Sequence, residues 1–195
     1  EIREIESGTF RNLRSLEILH LTNNLIEHFS NQTFIGLKKL IVLNIGVNPI
    51  KNIGVNIFKE LTSVQTLNIN SANFIKLVTH SFLGLDSLTS MILNTLNLRQ
   101  IEARAFENLS KLYILSLDYN KVERLVNETF VGMNQLCYLF MSLNKVTEIE
   151  ENAFKGLATL QTLDLSNNKI RKLRNITFAD LTVLKELNLS HNYIK

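Results

Sequence analysis

The chain has 195 residues, of which 45% are hydrophobic and 20% charged, with a formal net charge of +3. This composition supports one sizeable folded domain, excludes wholesale disorder and supplies no strong electrostatic pull toward nucleic acid. No apolar run reaches the length of a membrane span, and the opening EIREIESGTF lacks the apolar centre of a signal peptide, so any secretory leader is expected to lie outside these residues.

A strand is predicted near 18–22, where Leu19 and Leu21 alternate with outward-facing Ile18 and His20. The same pattern returns near 42–46, 66–70 and 90–94, where the outward positions are mostly small and polar, among them Asn44, Gly46, Thr66, Asn68, Asn70 and Asn94. Near 114–118 and 138–142 the outward set changes to Ile114, Asp118, Tyr119, Tyr138, Phe140 and Leu143. It reverts near 162–166 to Thr162, Asp164, Ser166 and Asn167, and a last strand near 186–190 carries Asn188.

These elements are copies of one 24-residue unit. Counting from Leu16 as offset zero, offset three holds Leu19, Leu43, Leu67, Met91, Leu115, Leu139, Leu163 and Leu187. Offset eighteen is phenylalanine in all eight units, from Phe10 to Phe178, which uses eight of the eleven phenylalanines. The period holds over 195 residues without an insertion or deletion. No unit can bury its apolar edge alone, so the units must stack, with the strands forming a parallel sheet and the phenylalanines filling the wider outer side.

The unit reads LxxLxLxxNxI, a further aliphatic residue, then FxxL, and LSKLYILSLDYNKVERLVNETFVGM is a full example. It resembles the leucine-rich repeat family, in the 24-residue extracellular form of Toll-like receptors, Slit-like guidance proteins and secreted insect immune proteins. The resemblance covers the whole chain. It implies an α/β superhelix-class fold: a horseshoe solenoid with a parallel concave sheet, a mostly irregular convex side and little regular helix. One uninterrupted array is expected over 1–195. The cysteine-rich caps of extracellular relatives are missing at both ends, which suggests an internal piece of a longer ectodomain.

Two features depart from the unit. The offset-eight asparagine, expected to bridge backbone groups of adjacent turns, is replaced by Ala72 and Leu96 in the third and fourth units. Either apolar repacking or a soft, kinked joint between residues 64 and 111 would follow. The proline common in the descending segment of such units is also absent.

Catalysis is not expected. His20 and His191 can both face the sheet but lie seven strands apart, on the order of 30 Å. There is no phosphate-cradling glycine loop, no CxxC and no carboxylate pair in one place, so neither a metal site nor a cofactor is expected. Cys137 at offset one reads as a free thiol beside a strand, with an intermolecular disulfide left open.

Strand side chains on a rigid scaffold are the usual recognition surface. Ile114, Asp118, Tyr119, Tyr138, Phe140 and Leu143 form an aromatic-rich patch in polar surroundings, the composition of a binding hot spot. Lys121, Lys145 and Lys169 repeat at offset nine beside it, either as a solvated edge or as a stripe that steers an anionic partner such as a glycan. Glycosylation sequons stand at Asn31, Asn108, Asn127, Asn175 and Asn188. Asn31, Asn127 and Asn175 share offset fifteen on the outer side, although an N-x-T-F pattern copied with the repeat would give the same register. A glycan on Asn188 would block the concave face, so occupancy is not expected there.

The sequence thus reads as a non-enzymatic extracellular recognition module, secreted or on a cell surface, that binds a protein ligand or co-receptor. Homo-oligomers are compatible with it and nucleic acid is not an expected partner. The alternative is an assembly or matrix scaffold without a dedicated ligand.

Overall fold

The computed structural model describes residues 1–195. Twelve short strands follow in chain order: β1 (Ile18–His20), β2 (Val42–Asn44), β3 (Thr66–Asn68), β4 (Lys76–Leu77), β5 (Ser90–Ile92), β6 (Gln100–Ile101), β7 (Ile114–Ser116), β8 (Arg124–Leu125), β9 (Tyr138–Phe140), β10 (Glu148–Ile149), β11 (Thr162–Asp164) and β12 (Glu186–Asn188). The eight three-residue strands form one parallel sheet in the order β1-β2-β3-β5-β7-β9-β11-β12, which makes the chain a parallel-strand solenoid. No helix is long and apolar enough to cross a membrane.

The register is set by the repeat. Leu43 pairs with Leu67, Met91 with Leu115 and Leu139 with Leu163, so the offset-three side chains from Leu43 to Leu163 point into the same core. From β2 to β11 that residue is buried while its two strand neighbours remain half-buried on the outer face. The strands end two residues earlier than the spacing predicts. Hydrogen bonding between turns continues past them, as in Ile45 N–H to Asn68 O and Val47 N–H to Asn70 O. At offset seven, however, the backbone enters the left-handed region in all eight units, with φ between 54° and 58° from Asn23 to His191. That turn ends the extended conformation.

The chain returns through two consecutive tight turns. Leu37 N–H donates to Phe34 O and Leu40 N–H to Leu37 O, and the same pair recurs in later units, as with Leu109 to Phe106 and Leu112 to Leu109. The turns aim offsets eighteen, twenty-one and zero inward together, and this places the phenylalanine row. Its rings stack from Phe10 to Phe178 with neighbouring centroids 5.8 to 6.5 Å apart. Strands in a sheet are only about 4.8 Å apart. The phenylalanine side is therefore longer per turn than the sheet side, and the coil bends with the sheet on its concave face. Removing an interior ring, as in Phe106→Ala, would cost about 3–5 kcal/mol.

The asparagine ladder forms as expected. Asn48 Nδ2 donates to Leu21 O, Ile45 O and Gly46 O, while its Oδ1 accepts from Ile26 N–H. Asn120, Asn144 and Asn168 repeat this bridging. No kink appears where the ladder is interrupted: β3, β5 and β7 stay in register, and the rings of Phe58, Phe82 and Phe106 remain within 7° of parallel from one to the next. Ala72 and Leu96 are buried. Repair comes from neighbours. Asn120 Oδ1 accepts from both Leu96 N–H and Leu98 N–H, and Ile50 N–H closes onto Asn48 O.

Two lateral ladders were not anticipated from the sequence. β4 pairs with β6 and β8 with β10, on the flank where each unit descends from the sheet. In each, an exposed residue precedes a buried aliphatic one, a two-residue alternation too short to announce a strand.

Candidate functional site

The concave face is built from the outward side chains of the sheet and the left-handed turn after each strand. Much of its small polar chemistry is used internally. The offset-six N–H points away from the next turn and finds side-chain acceptors instead. Asn44 Oδ1 takes Gly46 N–H, Asn68 Oδ1 takes Asn70 N–H, and Asn94 Oδ1 takes Asp118 N–H. Asp164 serves Ser166 N–H and Asn188 serves Ser190 N–H. Asp118 is fully engaged in the same way. Its Oδ1 accepts from Ser142 N–H at 2.7 Å and from Ser142 Oγ at 3.0 Å, and its Oδ2 accepts from Ser116 Oγ. Of the six residues read from the sequence as a binding patch, Asp118 is thus a strand-linking group.

The aromatic residues have no such internal task. Tyr138 and Phe140, both on β9, stack with centroids 6.5 Å apart, and Ile114 on β7 lies in register with Tyr138. The structure adds Tyr113, which the sequence reading missed. Its ring meets Tyr138 edge to face at 5.4 Å while staying 44% exposed. The neighbouring Tyr138 hydroxyl is the main cause raising the Tyr113 phenol above its ordinary pKa. The signal for Tyr113 was present in the sequence: offset one of one turn flanks offset two of the next. Tyr119 and Leu143 sit at the rim, in the left-handed turns after β7 and β9, and are 61% and 41% exposed. Ile114, Tyr138 and Phe140 form one cluster with Tyr113, and the rim residues flank it.

The charge of this face is acidic. Across offsets two, four, six and seven of all eight units, no lysine or arginine occurs, whereas Asp118, Asp164 and Glu186 do. The stripe of Lys121, Lys145 and Lys169 lies beyond the left-handed turns, and their N–H groups bond back to Leu98, Val122 and Val146. Lys145 and Lys169 are exposed and Lys121 half-buried. Cys137 is buried and its Sγ accepts from Gln161 Nε2 at 3.8 Å, which removes the thiol from a partner's reach.

Asn31, Asn108, Asn127 and Asn175 are exposed, and Asn188 is half-buried, with its Nδ2 donating to Asp164 Oδ2. The threonines that complete three sequons have a folding role. Thr33 Oγ1 accepts from Ser30 N–H, Thr177 Oγ1 accepts from Arg174 N–H, and Thr129 Oγ1 donates to Val126 O, and all three residues are buried. The N-x-T-F register therefore has a structural cause independent of any glycan.

A family model described as Leucine rich repeat matches residues 1–50, 86–146 and 142–194. No curated protein sequence matches the chain. Among solved structures, that of TLR13 in complex with the single-stranded RNA ssRNA13 superposes on all of this chain with a TM-score of 0.95 at 27% identity. The Toll–Spatzle complex from Drosophila superposes on 98% of it with a TM-score of 0.84 at 22% identity, a likeness of fold alone. The chain spans 27% and 29% of the lengths of those two chains. The TLR13 complex corrects one expectation. The slight net charge had left nucleic acid out of the expected partners, yet a solenoid of this same geometry occurs in a complex with RNA. Overall charge does not decide that partner class for a surface this extended.

Proposed function

The chain belongs to the leucine-rich repeat family, and from that premise we propose that it is a recognition segment of an extracellular, receptor-like innate-immune ectodomain, whose concave patch binds a protein partner and performs no catalysis. The observation that carries this reading is the cluster of Tyr113, Ile114, Tyr138 and Phe140 on a face that elsewhere carries mostly small polar residues. Aromatic anchors flanked by polar groups that are already satisfied make a surface that loses little on desolvation and gains apolar contact. Exposed Asn31, Asn127 and Asn175 keep glycans on the outer side, away from this face.

Single-stranded RNA is the second reading, supported by the TLR13 complex and by the capacity of exposed rings to stack bases. The acidic residues of the concave face rank it second at this patch, because phosphate contacts require cations. The test is titration of the immobilised chain with candidate protein ligands and with single-stranded RNA oligonucleotides at two salt concentrations. Saturable protein binding with shallow salt dependence is expected. Binding of RNA alone, steeply weakened by salt, would replace the protein reading with the second one.

A further inference from the structure

The outer loops of the first three turns carry a chemistry opposite to that of the concave face. Arg11, Arg14, Lys38 and Lys39 line a cleft of about 630 Å³ that also contains Ile35 and Glu60. Gly36 brings the cations together. Its φ is +90°, and a Cβ there would lie 2.3 Å from Arg11 O, so only glycine lets the second loop close onto the backbone of the first. All four cations are exposed, and none takes part in an ion pair. Some cations elsewhere on the outer loops and flanks are neutralised between turns, as in Lys76 with Glu102 and Arg104 with Glu128, while others such as Lys59 and Lys111 stand singly. The repeat does not ask for cations here. The positions equivalent to Lys38 and Lys39 are Thr62 and Ser63 in the next unit, then Asp86 and Ser87.

Four unpaired like charges in one cleft repel each other and raise the local potential for an anion. Arginine adds a planar fork that fits a carboxylate with two parallel hydrogen bonds. The cleft is not uniformly basic, however. The Glu60 carboxylate needs a donor, and Ile35 together with Leu13, 47% exposed beside Arg14, offers apolar contact. A sulfated glycan or a phosphate backbone supplies anions and hydroxyl donors but no aliphatic side chain for Ile35 and Leu13. A peptide with acidic side chains supplies carboxylates, backbone N–H groups and apolar side chains together. We infer that this cleft is a second contact surface, one that takes an acidic segment of a protein partner and works independently of the concave patch.

The experiment is titration of the chain with a peptide probe of alternating glutamate and leucine, with a heparin fragment and a single-stranded oligonucleotide as competitors. Saturable binding is expected, weakened at least about tenfold in the Arg14→Glu, Lys38→Glu variant and reduced as salt rises. The neutralising pair Arg11→Gln, Lys39→Gln should weaken it less, which guards against a folding defect in the charge-reversed variant, and unchanged melting temperatures confirm the fold. Lys145→Glu, Lys169→Glu and Tyr138→Ser, Phe140→Ser should leave peptide binding intact, which separates this surface from the concave one. Equal affinity in the charge-reversed variant, no peptide binding, or displacement of the peptide by either competitor at lower concentration would overturn the inference.

Discussion

Tyr113 and Tyr138 meet edge to face across adjacent turns, with ring centroids 5.4 Å apart and planes at 67°. The contact exists because a 24-residue period sets offset one of one turn beside offset two of the next, and both happen to be aromatic. Such a pair is worth about 0.5–1.5 kcal/mol beyond the area it buries. Tyr113→Ala should therefore lower stability by only about 1 kcal/mol while weakening partner binding roughly tenfold. Urea unfolding and a binding titration on the same preparation check the two parts.

The asparagine ladder should be far less tolerant. Asn144 Nδ2 donates to Leu117 O and Met141 O, and its Oδ1 accepts from Val122 N–H, all in buried surroundings. Asn144→Ala strands those backbone groups without water, and each costs about 1–3 kcal/mol when left unpaired. A loss of at least about 2 kcal/mol is expected, read as a lower urea midpoint. A change below half that value would mean that the backbone re-pairs locally, as it does around Ala72.

The left-handed turns offer a gain. Val47 has φ of 55° and Leu143 likewise, a conformation that costs most side chains about 1–2 kcal/mol and is worst for β-branched ones. Asn23 and Asn167 already occupy the equivalent position. Val47→Asn should raise stability by about 1 kcal/mol with binding unchanged. Leu143→Asn should also stabilise, yet reduce binding, because Leu143 flanks the aromatic cluster. Thermal melts paired with titrations separate the two effects.

Acid should weaken the lateral flank. Glu102 is held below its ordinary pKa of 4.5 by a hydrogen bond with Lys76 and then by Thr79 N–H, and Glu128 by Lys155 and then Arg104. A carboxylate with a lower pKa when folded adds stability above its unfolded pKa and loses it as pH falls through the folded one. Stability should be flat above about pH 5 and decline below about pH 4.5, and Glu102→Gln with Glu128→Gln should shallow that decline. Both carboxylates are half-buried and still reached by solvent, so the effect is small and shrinks with salt. Urea midpoints across this pH range provide the measurement.

The solenoid was legible because its determinants repeat. Offset three, offset eighteen and the asparagine ladder each recur in most units, and one inward geometry satisfies them all. Asp118 shows what repetition hides. As a residue type it reads as a surface acid, but it caps Ser142 N–H, a donor that becomes visible only once the backbone path is known. Thr33 and Thr177 carry a second signal, since a buried turn-forming threonine two residues after an asparagine also spells a glycosylation sequon. Tyr113 was overlooked because the period-two alternation assigns no face to the residue preceding a strand. The lateral pairs β4–β6 and β8–β10 involve two residues per strand, too few to show a periodicity.

The most direct test of the concave patch is Tyr138→Ser with Phe140→Ser, followed by urea unfolding and by titration with a protein ligand bound by the unsubstituted chain. Both rings stand on the outer face of β9 while Leu139 between them is fully buried. The expected result is an unfolding midpoint close to that of the unsubstituted chain, with affinity reduced at least about tenfold. Unfolding of the double variant, or undiminished affinity in a folded one, would contradict the assignment of this face to recognition.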